Sequence, residues 1–225
     1  MSPDARHPSP ALLSRANREG CRKGRGPMAI VLPCTVTAHD YAAALPDLND
    51  RPACPDCSEP MSLWGSYRRA LRIEEHDLQI RIRRARCSSC RVSHGLVPEF
   101  VTIGRLDGVE VIGQALEEIA AGSTIAAAAA RPSVPASTVR GWLRRLRDRA
   151  DILAKGFLAA LVAFGALVPR LVGSGNAIET ALSAARAAAA ELARRFSGGR
   201  RWPLANRIVG GHLLSTNTDP PWICA

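Results

Sequence analysis

Apolar positions along the chain change period, and the change divides it into a strand-patterned part and a helix-patterned part. Leu78, Ile80 and Ile82 fall on one face and Gln79, Arg81 and Arg83 on the other, the two-residue period of a half-buried strand. Upstream, Leu63-Trp64-Gly65-Ser66-Tyr67 is rich in strand formers. The polar run Arg72 to Asp77 lies between them, so the two segments are predicted to pair as a hairpin. Ala29 to Leu32 is a further candidate strand.

From Val109 onward the period is helical. Val109, Ile112, Leu116 and Ile119 predict an amphipathic helix over about 107–121, with Asp107 as N-cap, Glu110 three residues on, and Gly122 as the stop. Ser123 or Thr124 is placed to cap a short second helix, Ile125 to Ala130. Arg131-Pro132-Ser133-Val134-Pro135 cannot continue a helix and makes a turn. A third helix is predicted from about Ala136 to Leu153. Its apolar stripe is Val139, Trp142, Leu143 and Leu146, and its other face shows Ser137, Arg140, Gly141, Arg144, Arg145 and Asp148.

Ile152 to Val168 is expected as a separate apolar helix packed on the third, and Gly173-Ser174-Gly175 as a break. The uncharged run Gly156 to Pro169 is 14 residues long, too short to span a bilayer, and is expected to be buried. Ala177 to Phe196 predicts an alanine-rich helix with Ile178, Leu182, Ala185, Ala189, Leu192 and Phe196 on its apolar face, ended by Ser197-Gly198-Gly199. The tail from Trp202 to Trp222 suggests more than random coil. Within it, His212, Asn206 and Asn217 do not form a recognisable catalytic set.

The cysteines add chemistry to the hairpin. Cys54-Pro55-Asp56-Cys57 and Cys87-Ser88-Ser89-Cys90 are separated by 29 residues and flank both strands. Two intervening residues let one tight turn aim both sulfurs at a point, and four thiolates close a tetrahedral shell around one structural Zn2+. Iron, two disulfides or redox chemistry would use the same four residues. His94 follows the second pair closely, but with four cysteines completing the shell it is expected at the surface. Cys21, Cys34 and Cys224 show no mutual spacing and are taken as bystanders.

Charge then bears on the partner. The 225 residues hold 30 Lys and Arg against 20 Asp and Glu, a net charge of +10 that favours a polyanion. Only Lys23 and Lys155 are lysines, so arginine-rich codon usage accounts for part of the excess. The hairpin offers Arg68, Arg69, Arg72, Arg81, Arg83, Arg84 and Arg86 as a phosphate-contacting or merely solvated face. Five arginines and one acid lie between Pro135 and Ala150. Short helix, turn and basic helix with a Ser-Thr start is the helix-turn-helix pattern. Read so, Ser137, Thr138, Arg140, Arg144 and Arg145 contact DNA: Arg140 at a base edge, Arg144 and Arg145 at phosphates. Trp142 is assigned to the core.

Three stretches carry a family resemblance. They are Cys54-Pro55-Asp56-Cys57 with Trp64-Gly65-Ser66-Tyr67-Arg68-Arg69, Arg83-Arg84-Ala85-Arg86-Cys87-Ser88-Ser89-Cys90, and Ser137-Thr138-Val139-Arg140-Gly141-Trp142-Leu143-Arg144-Arg145. On these the chain resembles a bacterial family of uncharacterised zinc-ribbon plus helix-turn-helix proteins, described as a domain of unknown function. The likeness extends over residues 50–225, to Thr216-Asn217-Thr218 and Pro220-Pro221-Trp222. The order of parts is also similar to the amino-terminal DNA-binding region of some insertion-sequence transposases. The resemblance implies that the four cysteines are zinc ligands and the third helix the DNA reader. The all-alanine run Ala126 to Ala130 and the longer turn at Arg131-Pro132-Ser133 depart from the family pattern.

The expected fold is mainly α with a small β zinc ribbon, followed by a helix-turn-helix and an Ala-rich helical C-terminal region. Residues 1–49 are expected as a disordered or poorly ordered arm, with Met28 a candidate start; 50–100 as the zinc ribbon; 101–150 as the helix-turn-helix; and 151–225 as the helical region and tail. The expected function is a non-catalytic DNA-binding protein in the cytoplasm, a regulator or transposon-derived accessory, with no membrane partner and homo-oligomerisation left open. A protein-interaction module is the alternative. A transposase would need three carboxylates around two metal ions, and after the helix-turn-helix only Asp151, Glu179, Glu191 and Asp219 remain, so no catalytic residue is assigned.

Overall fold

Strand pairing runs well beyond the segment whose alternation announced it. The computed structural model describes residues 29–45, 51–74, 76–166, 176–196 and 199–214. The expectations for residues 1–27, Gly173 to Gly175, and the tail from Thr216 to Trp222 lie outside these. Four strands, β1 (Ala29–Leu32), β2 (Met61–Ile73), β3 (His76–Cys87) and β4 (Ser93–Pro98), form one sheet in the order β1-β4-β3-β2. β1 runs parallel to β4, and the other pairs are antiparallel. The expected turn from Arg72 to Asp77 is shorter than predicted. Arg72 pairs with Asp77 and Ile73 with His76, because burying Leu71 and Ile80 keeps both strands extended to the hairpin tip.

β3 changes its buried face along its length. Ile80 and Ile82 pack with Leu71, Val97, Phe100 and Val101, together with Ala38 and Tyr41 of the short helix α1 (Ala38–Ala43). Three residues further on, the buried set moves to odd positions, where Ala85 and Cys87 pack with Cys54, Met61 and Leu96. The sheet therefore has two small cores on opposite faces, one towards the hairpin tip and one at the cysteine end. Arg84 and Arg86 are on the face that the second core leaves uncovered.

The helical half begins at α2 (Val109–Ala120). Its N-cap is Gly108 and not Asp107, which is buried beneath the helix and accepts a 2.7 Å hydrogen bond from Arg72 Nε. Burial pushes the Asp107 carboxyl above its ordinary range, and the adjacent guanidinium opposes this. α3 (Ile125–Ala130) is capped by Thr124, whose hydroxyl accepts from the Ala127 amide at 3.1 Å.

α4 (Ala136–Ala163) is one helix of 28 residues, so the expected separate helix from Ile152 does not form within the described residues. Val139, Trp142, Leu146, Ala150, Leu153, Phe157 and Leu161 are buried at spacings of three and four, and no breaker interrupts that stripe. α5 (Ala177–Arg195) packs along it with Ala181, Ala184, Ala185, Ala188 and Ala189 buried, short side chains that let the two backbones approach closely.

The region after α5 has a structural task. α6 (Arg201–Ile208) buries Trp202 against α2, where a Cβ on Gly113 would lie 2.0 Å from the indole ring. Asn206 is fully buried and donates from Nδ2 to Glu99 O at 2.8 Å and Val101 O at 2.9 Å. Arg105 donates to Leu214 O at 2.9 Å and the Ile103 amide to Gly211 O at 3.0 Å. These bonds join the sheet to the helices. Among the described helices none is long and apolar enough to cross a membrane.

Candidate metal centre and basic surfaces

Each Cys-x-x-Cys segment folds into a tight turn for a local reason. After Cys57 and after Cys90 the next residue, Ser58 or Arg91, takes a left-handed conformation with φ of 67° and 61°. This bends the backbone so that the Ser58 amide reaches Cys54 O at 2.8 Å, and the Cys87 amide reaches Val92 O at 3.0 Å. The β2–β3 hairpin brings the two turns together, with Met61 opposite Cys87. Cys54 and Cys90 place their sulfurs 3.5 Å apart, and Cys57 and Cys87 theirs 3.4 Å apart. All four sulfurs lie within 4.8 Å of one another.

That spacing separates the alternatives. A disulfide would hold two sulfurs at about 2.05 Å, and the four cysteines are free. Four sulfurs at ~2.3 Å from a common centre would lie about 3.8 Å apart in a tetrahedron. The cluster could therefore hold a metal ion. Its electrostatics point the same way. The Cys90 amide, donating to Cys87 sulfur, draws that thiol down to about 7, whereas burial pushes Cys54 up to about 12. One thiol is ready to ionise while Cys54 resists, a conflict that a bound cation would relieve by stabilising both thiolates.

His94 is fully buried, which corrects the expectation that it is a surface residue. Pairing of Ala85 with His94 turns the imidazole towards the cysteine end, where a ring nitrogen, the Cys54 sulfur and an Asp56 carboxylate oxygen lie within 4.8 Å. Only the strand register, absent from the sequence pattern, brings it there. Cys34 is half-buried and is not part of the cluster, and Cys21 and Cys224 lie outside the described residues.

The hairpin arginines divide into two groups. Arg69 donates to Thr102 O at 2.8 Å and also to Arg105 O, and Arg72 is paired with Asp107. Both brace the sheet against the loop before α2 and leave the expected phosphate-contacting face. Arg83 reaches Leu45 O at 3.5 Å. Arg68, Arg81 and Arg86 are exposed, and Arg84 lies with its guanidinium carbon 4.6 Å from the centre of the Trp64 ring.

On α4, Ser137, Arg140 and Arg144 are exposed on the side away from the buried stripe. Arg147, missed in the sequence pattern, is exposed three residues beyond Arg144 on the same side. Its signal was the three-and-four spacing from Arg140, the same rule that identified the stripe. Thr138 and Arg145 are half-buried at the shoulder of the helix, and Arg145 donates to Gly141 O at 3.0 Å. Trp142 belongs to the core, as expected. The turn before α4 is held to α2, since Arg131 bonds Gln114 at 3.0 Å and Glu118 at 2.7 Å.

The comparisons with known proteins cover this part of the chain. Residues 54–142 match the model of a family described as a domain of unknown function (DUF6431). The matched stretch opens at the first cysteine of the cluster and closes at Trp142, so it includes both cysteine turns, the hairpin, α2, α3 and the start of α4. No curated protein and no solved structure matches the chain.

Proposed function

We propose that the protein is a non-catalytic binder of duplex DNA that reads base edges from the first turns of α4 and is folded around one structural zinc. The observation that carries the reading is the exposed column Ser137, Arg140, Arg144 and Arg147 on the face of α4 opposite its buried stripe. Among the described residues none of these arginines is ion-paired, so their donors remain open to a polyanion. α3, the turn pinned by Arg131 and α4 follow one another as in a helix-turn-helix, where the second helix enters the major groove by its N-terminal end. Ser137 at that end is small enough for close approach, and Arg140 one turn on can offer two donors to a guanine. Regulator and transposon-derived accessory are both compatible with this reading.

For the metal, Cys54, Cys57, Cys87 and Cys90 would supply four thiolates and leave no position for water, the donor set of a structural zinc site. The ion would lock both cysteine turns to the hairpin, which completes the zinc-ribbon reading. Enzymatic strand transfer has less support. Among the described residues, the groups of three or more metal-ligating side chains lie at the cysteine end of the sheet, and Asp151, Glu179 and Glu191 belong to none of them.

The test is a titration of selected and random duplexes at several salt concentrations. Arg140→Ala should lose about 1–3 kcal/mol at the preferred site and relax specificity there. Arg144→Ala should weaken all sequences alike and reduce the salt slope by about one. Equal behaviour of the two variants would reduce α4 to a basic surface. No effect from either would overturn the DNA reading in favour of a protein-interaction module.

A further inference from the structure

The open face at the cysteine end of the sheet has a composition that its packing does not explain. Register aligns Gly65, Arg84, Gly95 and Ala29 in one cross-strand row, so Arg84 is the only long side chain across all four strands there. A side chain at Gly65 would meet nothing within 4 Å. At Gly95 a Cβ would come within 3.4 Å of the Tyr67 hydroxyl, which lies over that position. The row is thus a shallow trough. Trp64, the extra residue of the β2 irregularity between Leu63 and Gly65, lies under the Arg84 guanidinium. Trp64 is 50 % exposed and Tyr67 43 % exposed. Arg86 stands two residues beyond Arg84 on the same face, whereas the exposed cross-strand pair Arg68 and Arg81 belongs to the opposite face. No acid is paired with any of these arginines among the described residues.

We propose that this trough binds unpaired nucleotides, stacking bases on Trp64, Tyr67 and the Arg84 plane while Arg86 takes a phosphate. The chemistry selects the occupant. Exposed rings backed by a guanidinium offer stacking surface that is indifferent to base identity, and the surrounding positive charge complements a phosphate backbone. A duplex keeps its base faces inside its own stack and would leave the two rings without a role. A second copy of the chain, docking the same patch on itself, would set Arg84 and Arg86 against their own equivalents. Gly65 leaves the backbone open for a flat ligand to approach beside the Tyr67 side chain, which covers Gly95. The surface is also separate from α4. Gly65 is about 26 Å along β2 from Ile73 at ~3.3 Å per residue, and it is the hairpin tip, Glu74 and His76, that faces the Arg131-Pro132 turn before α4. The proposal therefore stands whether or not α4 reads duplex DNA.

Tryptophan fluorescence of the full chain, titrated with an oligothymidylate of about 12 nucleotides, tests it. Trp142 and Trp202 are each only 2 % exposed, so among the described residues Trp64 is the reporter. The oligonucleotide should quench emission, with an affinity that falls as salt rises. Trp64→Ala should weaken binding roughly 5- to 150-fold, the range for loss of one stacked base, and leave duplex binding unchanged. Trp64→Phe should keep most of the affinity. Arg84→Lys retains the charge but loses the planar stack and should weaken binding several-fold; it carries the test if Trp64→Ala fails to fold. The proposal is overturned if Trp64→Ala and Arg84→Lys bind the oligonucleotide like the parent, or if Arg140→Ala loses it as fully as it loses duplex. Equal displacement of the oligonucleotide by polyglutamate of matched charge would also overturn it, assigning the patch to an acidic protein. So would self-association of the parent that Trp64→Ala abolishes.

Discussion

The sheet and the helical layer meet the same problem, too little large apolar surface, in different ways. The helices bury one continuous cluster from Val109 to Leu214, in which Trp142, Phe157 and Trp202 fill space and alanines bring α4 and α5 close. The sheet splits its apolar residues between two small clusters on opposite faces, and one of these includes Cys54 and Cys87 themselves. A helix pair gains close contact from short side chains, so alanine suffices. A hairpin whose strands are 13 and 12 residues long cannot bury both faces along its whole length with the few large residues available. A metal ion held by the four cysteines would cross-link its open end and make up the difference, and the face left uncovered there remains exposed.

The sharpest way to break this comparison is to remove the cross-link. Chelation, or Cys87→Ser, should unfold the cysteine end of the sheet, since a structural metal contributes on the order of 10 kcal/mol to small metal-dependent folds. The helical layer holds no cysteine and should keep its far-ultraviolet helical signal. The parent should carry about one zinc per chain by elemental analysis. A Cys87→Ser protein with full metal content and an unchanged melt would refute the assignment.

The converse experiment strikes the helical core. Trp202→Ala should lose about 3–5 kcal/mol, and Gly113→Ala, which drives a methyl into the same ring, about 1–3 kcal/mol. Neither residue is near the cysteines, so metal content should stay constant while the denaturation midpoint falls. A drop in metal content alongside stability would show that the two halves do not hold together independently.

The smallest effect should be the most informative about their coupling. Asn206→Ala removes both hydrogen bonds from α6 to Glu99 O and Val101 O and leaves two buried carbonyls unsatisfied, at about 1–3 kcal/mol. In calorimetry a single transition should broaden or divide as the sheet and the helices lose their shared anchor. A uniform shift of one sharp transition would place the coupling elsewhere, in the Arg72–Asp107 pair or the Arg105 bond to Leu214.

Local features were legible in the sequence because their causes are local. The cysteine turns need only two intervening residues, Thr124 needs only the amide three positions on, and Pro132 and Pro135 stop a helix without help from the rest of the chain. The stripe of α4 was equally readable, and so was the exposed column opposite it, apart from Arg147. The end of α4 was not, since an apolar run with no breaker has the same appearance whether it forms one helix or two.

What only the tertiary structure decided depends on which surfaces meet. β4 was missed because its apolar run is short, and it counts as a strand only by pairing between β1 and β3. That pairing buries His94, and the exchange of cores between the two faces of β3 separates the spent arginines, Arg69 and Arg72, from the open ones, Arg84 and Arg86. Gly65, Arg84 and Gly95 are distant in sequence and become one row only through strand register. Periodicity reports which side of an element is apolar. Which partner covers that side, and which polar residues are consumed in the process, is set by long-range packing that no local pattern encodes.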